Sequence, residues 1–326
     1  MPDVRRYLEE FLMDPYVIDT PWLVRRAIVS LTVLPRRPAQ SARAYASIWT
    51  ARGAPLLVHS AALRAALSCE MDADVWLAMR YGEPSLAHTL AQMRAHGVTE
   101  VVLAPLYPQH ADATRTTTIA AARHLIAAAG NWAQLRVLPQ FHADPGYLAA
   151  LAELTRAHIA NCDHVLFSYH GLPERQIKKA DPTGAHCLRA ADCCECASAA
   201  HATCYRQQCR ATTRALVQRL GLAEGGYSMT FQSRLGGTAW LRPYTDATLR
   251  VLPAQGVRKL AVVCPAFVAD NLETLEEIAI QGRETFIAAG GESLHLVPCL
   301  NSDPAWVRAL AQLLRAVPDA LPDTIA

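Results

Sequence analysis

Two groups of side chains in this chain have the types and spacing needed for proton transfer or metal binding. The first is an imidazole: His170 follows the apolar run at residues 164–169, and Gly171 and Pro173 end the predicted strand directly after it. In open α/β sheets, ligands bind at such strand ends. Because an unperturbed imidazole has a pKa of about 6.5, His170 can exchange protons or bind a metal near neutral pH. A hydrogen-bonded structural histidine is the alternative.

The second group is a set of carboxylates. Residues 259–268 are predicted to form a buried strand, and Asp270, Glu273 and Glu277 follow where a helix begins. Glu273 and Glu277 are four residues apart and share one helix face, where their like charges repel unless a cation lies between them. Oxygen ligands beside one imidazole suit a divalent first-row metal that is held loosely. An acidic helix N-terminus, favoured by the helix dipole, is the alternative.

Two loops have the composition of a pocket wall for a large, flat ligand that carries carboxylates. One is residues 104–117, which follow a predicted strand, and the other is residues 231–246, which mix aromatic side chains with Gln, Ser and Arg. Apolar and aromatic walls with a few anion-binding groups are typical of such sites. An ordinary Pro-rich or Gly-rich connection is the alternative for each loop. The side chains expected to bind the ligand are Tyr107, Gln109, Gln232, Ser233, Arg234 and Trp240.

The elements that must position these groups are short apolar runs that alternate with amphipathic segments. This alternation predicts an α/β fold with parallel sheets flanked by helices. The Pro-containing stretch at residues 139–145 is the expected seam between two domains. We predict a first α/β domain over residues 1–140, completed by a C-terminal helix at 304–326, and a second over 141–303. The predicted strands are residues 74–79, 100–105, 135–139, 164–168, 227–231, 260–264 and 294–298.

The overall composition excludes several classes of protein. The chain has 326 residues, of which 52% are hydrophobic, so disorder is excluded. Lys and Arg number 31 against 29 Asp and Glu, with no long basic run, which argues against a nucleic-acid partner. No apolar stretch approaches the roughly 20 residues that span a bilayer, and the N-terminus lacks the apolar core of a secretory signal. We therefore expect a cytoplasmic protein.

Cysteine is distributed unevenly. Six of the ten cysteines lie between Cys187 and Cys209, whereas the other four are scattered through apolar contexts that suit small core residues. In a cytosolic protein a dense group of thiols indicates a metal site more often than a disulfide framework. The group therefore needs an explanation separate from that of His170 and the carboxylates.

Five motifs, in order along the chain, resemble those of the ferrochelatase family. They are Leu106-Tyr-Pro-Gln, Ser168-Tyr-His-Gly-Leu-Pro-Glu-Arg, Phe231-Gln-Ser-Arg-Leu-Gly, Trp240-Leu-Arg-Pro-Tyr-Thr-Asp and Asp270-Asn-Leu-Glu-Thr-Leu-Glu-Glu. The resemblance implies two Rossmann-like domains with a cleft between them. It also implies a lyase that inserts Fe²⁺ into protoporphyrin IX to make protohaem, the last step of haem synthesis, without a nucleotide cofactor.

The resemblance assigns roles to the residues singled out above. It implies that His170 and Glu273 are the paired residues of the metal site, with His170, Glu273 and Glu277 catalytic and Asp270 extending the acidic track. A chelatase for another porphyrin, such as coproporphyrin, or for another metal is the first alternative. A haem- or porphyrin-binding sensor without activity is the second, although such a protein has no need of an acidic track.

The chain departs from the family pattern at four places, one of which is Gly237-Thr-Ala in the Phe231 motif, where a Pro-rich turn is more usual. Asn271 stands where many members have His. The short apolar strand that normally opens the family is missing before the helix at Arg5, so we expect the natural chain to start upstream of Met1. An insertion at residues 182–204 carries the cysteines, and it resembles the segment that holds a [2Fe–2S] cluster in some bacterial members. The candidate ligands are Cys187, Cys193, Cys194, Cys196 and Cys204, with Cys209 a weaker one; structural zinc and unligated thiols are the alternatives.

An apolar segment near the N-terminus suggests a contact with a membrane. Residues 15–34 are apolar, with Arg25 and Arg26 inside the segment and Arg36 and Arg37 after it. In the resembling family this region forms an apolar lip at the mouth of the pocket. An apolar surface edged by Arg could rest on the inner face of the cell membrane without spanning it. A helix that covers the core of the first domain is the alternative.

Overall fold

The computed structural model describes residues 2–234 and 236–319. Its first third is helical. The helices are α1 (Pro2–Leu12), α2 (Trp22–Ile28), α3 (Arg37–Ile48), α4 (Pro55–Glu70) and α5 (Leu86–Ala95), and a π-helical stretch at Val29–Val33 continues α2. Buried Asp14, after α1, accepts hydrogen bonds from Arg80, Tyr81 and Thr117 and so ties α1 to the chain beyond it.

A small parallel sheet follows, formed by β1 (Glu100–Leu103) and β2 (Gln134–Val137) with Val101 opposite Leu135. The crossover between them is a π-helical turn at Asp112–Thr116 followed by α6 (Thr117–Ala128). The strand predicted at 74–79 is wrong: only Met79 makes a bridge, to Ser85. A strand requires a partner for its backbone groups, and within residues 2–234 and 236–319 no neighbouring strand pairs with 74–78.

The larger sheet has four parallel strands in the order β4–β3–β5–β6. The strands are β3 (His164–His170), β4 (Tyr227–Gln232), β5 (Lys259–Val263) and β6 (Ser293–Leu296). Central β3 is buried along its length apart from His170, and Phe167 and Tyr169 are fully enclosed. Burial of one such aromatic side chain contributes roughly 1.5–3 kcal/mol. The predicted parallel sheets flanked by helices are confirmed.

Helices cover this sheet. They are α7 (Pro145–Ile159), α8 (Glu174–Lys179), α9 (Tyr205–Leu220), α10 (Thr245–Val251), α11 (Leu272–Leu275) and α12 (Arg283–Ala288), and a π-helical stretch at Glu277–Gly282 joins the last two. Short 3₁₀ turns lie at Ala199–Ala202 and Pro253–Gln255. A strand that is covered by helices on both faces is apolar on both faces and has a nearly continuous hydrophobic sequence. The sequence of β3 has this pattern.

The last helix, α13 (Pro304–Arg315), packs against both α4 and α7. Its N-cap residue Asp303 accepts hydrogen bonds from the backbone N–H groups of Ala305 and Trp306. Trp306 is fully buried, with its ring 5.6 Å from that of Phe141. The helix is shorter than the predicted 304–326, and residues 320–326 lie outside the described part of the chain. A C-terminal helix that completes the first domain must pack against that domain, and α13 does contact α4.

Candidate active site

His170 is the last residue of β3, and the geometry around it fixes its tautomer. Its Nδ1 lies 2.6 Å from the carbonyl oxygen of Gly171. Because a carbonyl oxygen only accepts hydrogen bonds, Nδ1 must carry the hydrogen. In the neutral ring the Nε2 lone pair is then available for a proton or a metal ion. Gly171 is required here, since a Cβ at this position would lie 2.8 Å from the carbonyl oxygen of Gln232 and 3.4 Å from the ring of Trp240.

Glu273 lies in the first turn of α11, which begins just beyond the end of β5. The N-cap is Asn271, whose side-chain oxygen accepts from the N–H of Thr274 at 3.1 Å, while the hydroxyl of Thr274 accepts from the N–H of Asn271 at 3.0 Å. Asn271, which stands where many family members have His, therefore starts the helix that carries Glu273. Asp270 just before it is buried and accepts from Asn301 at 2.7 Å and from Thr274 at 3.1 Å.

The charges of His170 and Glu277 act on the Glu273 carboxyl. Burial raises the pKa of the Glu273 carboxyl, the positive form of His170 lowers it, and the charge of Glu277 raises it further. Desolvation is the largest of these effects, so the acid holds its proton to a higher pH than a solvated glutamate does. His170 and Glu273 therefore interact electrostatically.

Glu277 is held by Ser233, the residue that follows β4. Its Oε1 accepts from the backbone N–H of Ser233 at 2.8 Å, and its Oε2 accepts from the Ser233 hydroxyl. Gln232 donates to the carbonyl oxygen of Glu273 at 2.8 Å and accepts from Ser168 at 2.7 Å through its own Oε1. Gln232 and Ser233 were predicted to bind the flat ligand, and the structure places their side chains against the two glutamates.

Three tyrosines also lie within electrostatic reach of Glu273. They are Tyr7 on α1, Tyr45 on α3 and Tyr107 in the loop after β1, and burial raises the pKa of each, with the charge of Glu273 adding to the effect. The pKa of Tyr45 rises to about 12, although a hydrogen bond from Tyr7 lowers it somewhat. Only Tyr107 was expected from the sequence. Tyr7 and Tyr45 carry no local signal, because only the packing of α3 against α11 brings their region to the site.

The remaining predicted ligand-binding residues are spread more widely. Gln109 is buried and donates to Thr212 on α9 at 3.2 Å. Trp240 makes a backbone bridge with Pro173, and its ring lies near Gly171. Arg234 is exposed, pairs with Asp246 at 2.9 Å and lies over the ring of Tyr244. The structure thus places Trp240 next to Gly171, the residue after His170, and brings Gln109 and Arg234 to other partners.

The insertion at 182–204 folds around buried thiols. Cys187, Cys193, Cys194 and Cys204 are buried. Burial raises the pKa of the Cys187 thiol, and interaction with the Cys204 thiol raises the pKa of Cys194. The fifth candidate, Cys196, is exposed and lies 3.7 Å from Asp192. Within residues 2–234 and 236–319, no three His, Cys, Asp or Glu side chains converge closely enough to hold a metal ion.

The backbone at the start of the insertion is also organised. Asp181 accepts from the N–H groups of His186 and Cys187, each at 2.8 Å. Burial would raise the pKa of Asp181, but these bonds and those from Thr183 hold it well below its usual range. The N–H of Leu188, a residue with φ of +58°, points to the sulfur of Cys193 at 3.4 Å.

An apolar surface lies on the N-terminal helices. Trp22, Leu23 and Leu31 are 59%, 74% and 75% exposed. In the part of the chain that the structure describes, no helix is both long enough and apolar enough to cross a membrane. Within residues 15–34, Val29 and Leu34 are buried, as expected for a helix that covers the core. The exposed side chains of Trp22, Leu23 and Leu31 are not explained by that interpretation.

Comparison with known proteins gives consistent results. A family model described as Ferrochelatase matches residues 1–317. The chain is 54% identical to a ferrochelatase of Azotobacter vinelandii (strain DJ / ATCC BAA-1303), covering 96% of this chain and 93% of that protein. It is 53% identical to a ferrochelatase of Pseudomonas fluorescens (strain Pf0-1), covering 98% and 94%.

Among solved structures, the chain resembles SirB from Bacillus subtilis with Fe³⁺, with a TM-score of 0.54, 10% identity, and 79% of this chain and 88% of that chain covered. It also resembles the sirohydrochlorin chelatase SirB from B. subtilis subspecies spizizenii in complex with cobalt, with a TM-score of 0.52, 14% identity, and 82% and 91% covered. At these identities the likeness concerns the fold alone, and it confirms the predicted chelatase-like α/β architecture.

Proposed function

Since this chain belongs to the ferrochelatase family, we propose that His170 and Glu273 form the site at which iron replaces the pyrrole protons. The reaction is the insertion of ferrous iron into protoporphyrin to make haem, and the enzyme is a lyase. Two pyrrole N–H protons must leave as Fe²⁺ enters. The observation that supports our assignment best is the hydrogen bond from His170 Nδ1 to the Gly171 carbonyl, which leaves Nε2 as a base beside Glu273.

A path for the protons follows from the arrangement of the acids. Nε2 of His170 takes a pyrrole proton, and the nearby Glu273 carboxylate takes it on. Glu277, one helical turn further along and fixed by Ser233, continues the track. The raised pKa of Glu273 suits a group that must accept a proton and release it again. Fe²⁺ is the substrate, and few weak oxygen and nitrogen ligands let it shed water and then leave for the ring.

The acidic track favours catalysis over porphyrin binding alone. A porphyrin-binding sensor without activity would have no use for two buried or half-buried glutamates beside an imidazole, whose desolvation disfavours folding. Metalation assays of the purified chain, without oxygen, with Fe²⁺ and either protoporphyrin or coproporphyrin, test the choice. Turnover with protoporphyrin is the expected result, whereas turnover with coproporphyrin alone would establish the other chelatase, and binding without turnover the sensor.

We propose further that the insertion holds a [2Fe–2S] cluster on Cys187, Cys193, Cys194 and Cys204. Four buried thiols of one short insertion are the donors that would hold this group, and exposed Cys196 is set apart from them. The N–H of Leu188 already faces the Cys193 sulfur, as in cluster sites where such bonds stabilise the thiolate. When bound, the group would cross-link the insertion. Structural zinc on the same thiols is the alternative, and we expect no nucleotide cofactor.

Replacing Cys204 with Ser should remove the cluster and lower the melting temperature by about 5 °C or more, because metal binding supplies folding free energy. Cys196→Ser is the matched control and should leave both colour and melting temperature unchanged. Wild-type protein purified without oxygen should be coloured, with about two iron and two sulfide per chain. Bleaching by Cys196→Ser but not by Cys204→Ser would contradict the ligand assignment, and a colourless protein with one zinc would establish the zinc site.

We also propose a cytoplasmic enzyme that rests on the inner face of the membrane through α2 and the π-helical stretch after it. The double substitution Leu23→Gln and Leu31→Gln should abolish sedimentation with anionic lipid vesicles, since these exposed side chains supply apolar area for insertion. Turnover in detergent should remain within about twofold. Val251→Gln, on α10 and also half exposed, serves as the control and should still sediment. Equal sedimentation of both variants would rule out this surface.

The domain division stays our proposal: residues 1–140 with α13, and residues 141–303. The packing of α13 on α4 supports it, as does the separation of the chain into two sheets.

A further inference from the structure

Tyr205 connects the thiol site to His170. It is the first residue of α9 and directly follows Cys204, which is the N-cap of that helix. The side chain of Tyr205 is buried, and its hydroxyl donates to the backbone carbonyl oxygen of His170 at 2.8 Å. Tyr205 is the point at which the insertion and the end of β3 meet.

The His170 carbonyl has this hydroxyl as its partner because of where it lies in the sheet. The N–H of Gly171 donates to Gln232 on β4 at 2.7 Å. Backbone groups of successive residues in a strand face opposite sides, so the C=O of His170 faces the side of β5. The pairing of β3 with β5 has already ended at Phe167 and Val263. Tyr205 thus takes the place of a strand neighbour and fixes the peptide that joins His170 to Gly171.

The peptide between His170 and Gly171 is directly followed by the Gly171 carbonyl, which accepts the hydrogen bond from His170 Nδ1. A rotation of the peptide would move both the imidazole and its Nδ1 partner, the Gly171 oxygen. Cys204 is one of the four buried thiols of the insertion, and its backbone carbonyl oxygen accepts from the N–H of Gln208 at 3.0 Å and so begins the first turn of α9. A shift of Cys204 therefore shifts Tyr205.

We propose that Tyr205 is a positioning residue for His170 and that it makes the orientation of the imidazole depend on the state of the thiol site. The inference rests on the proposed functions of His170 and of the four cysteines. The thiol site acts on the reaction through this hydrogen bond alone, with no electron or proton transferred from it.

Tyr205→Phe keeps the ring, which lies 6.5 Å from that of Phe231, and removes only the hydroxyl. We expect kcat to fall about three- to tenfold, the effect of one lost hydrogen bond, while the KM for protoporphyrin and the melting temperature change little. Tyr169→Phe is the matched control: its hydroxyl also joins β3 to α9, by a hydrogen bond with Thr213, but is not bonded to the His170 carbonyl. It should leave kcat within twofold.

The dependence on the thiol site is tested by combining substitutions. Cys204→Ser should lower kcat by a similar factor in the wild-type background and should have little further effect together with Tyr205→Phe. Two independent, additive losses would overturn the proposed connection. If His170→Ala itself retains turnover, the proposed function fails instead, and if wild-type protein binds no metal at the thiols, the cluster assignment fails.

A direct measurement needs neither turnover nor a bound cluster. Labelling His with ¹³C at the carbonyl and Gly with ¹⁵N selects only His–Gly pairs, and the chain has two, His96–Gly97 and His170–Gly171. We expect Tyr205→Phe to shift the carbonyl resonance of His170 and not that of His96, in protein purified with or without metal. An unchanged His170 resonance together with unchanged kcat would overturn the proposal.

Discussion

His170→Ala is expected to lower kcat for iron insertion by about 10²- to 10⁴-fold, the usual contribution of a positioned base. The substitution removes the Nε2 lone pair, whose availability follows from the Nδ1 hydrogen bond to Gly171. Porphyrin affinity should change by less than about fivefold, because aromatic and apolar walls supply most of it. Anaerobic assays that follow the loss of porphyrin fluorescence give kcat, and fluorescence titration gives the affinity.

Two controls make this result specific. His88→Ala removes an exposed histidine on α5 and should leave kcat unchanged. Added imidazole should restore part of the activity of His170→Ala, since a small base can occupy the space left by the ring. Turnover near that of the wild type in His170→Ala would remove His170 from the mechanism.

Glu273→Gln is expected to lower kcat by about 10²-fold, because the amide keeps the shape of the side chain but cannot accept the proton. Glu276→Gln is the matched control. It lies in the same acidic run, yet its carboxylate accepts from Gln281 at 2.7 Å and has no part in the track. Equal activity of the two variants would show that the acids serve only the helix N-terminus, which is worth under about 1 kcal/mol.

The pH dependence separates a chemical effect of Glu273→Gln from unfolding. Burial raises the folded-state pKa of Glu273 above its ordinary value of about 4.3. Its contribution to stability is therefore fully present below pH 4.3 and is lost as the pH rises through the raised value. At pH 7 the Gln variant should melt at or above the temperature of the wild type. In the wild type, kcat/KM should fall as the pH drops through the raised pKa, and this acidic limb should be absent in Glu273→Gln.

Much of this arrangement could be predicted from local pattern. The continuous apolar run before His170 predicts a central buried strand, and the acids after β5 predict a helix start at the same sheet edge. The positions of Tyr7 and Tyr45 near Glu273 could not be predicted, because the sequences of α1 and α3 do not indicate which part of the protein these helices pack against. The strand at 74–79 was predicted from hydrophobicity alone, which cannot supply a pairing partner. Spacing also could not choose among five cysteines, whereas burial separates Cys196 from the other four.

The contacts of Gln232 have a consequence for how the reaction uses energy. This buried amide joins Ser168 on β3 to the backbone of Glu273, and Ser233 beside it holds Glu277. The base and the acids therefore keep their relative positions before any substrate arrives, so the site is preorganised and the groups need little reorientation during proton transfer. A flexible site would spread its adjustment over many side chains. If His170 and the two glutamates act as we propose, we expect the porphyrin rather than these side chains to change conformation during metal insertion.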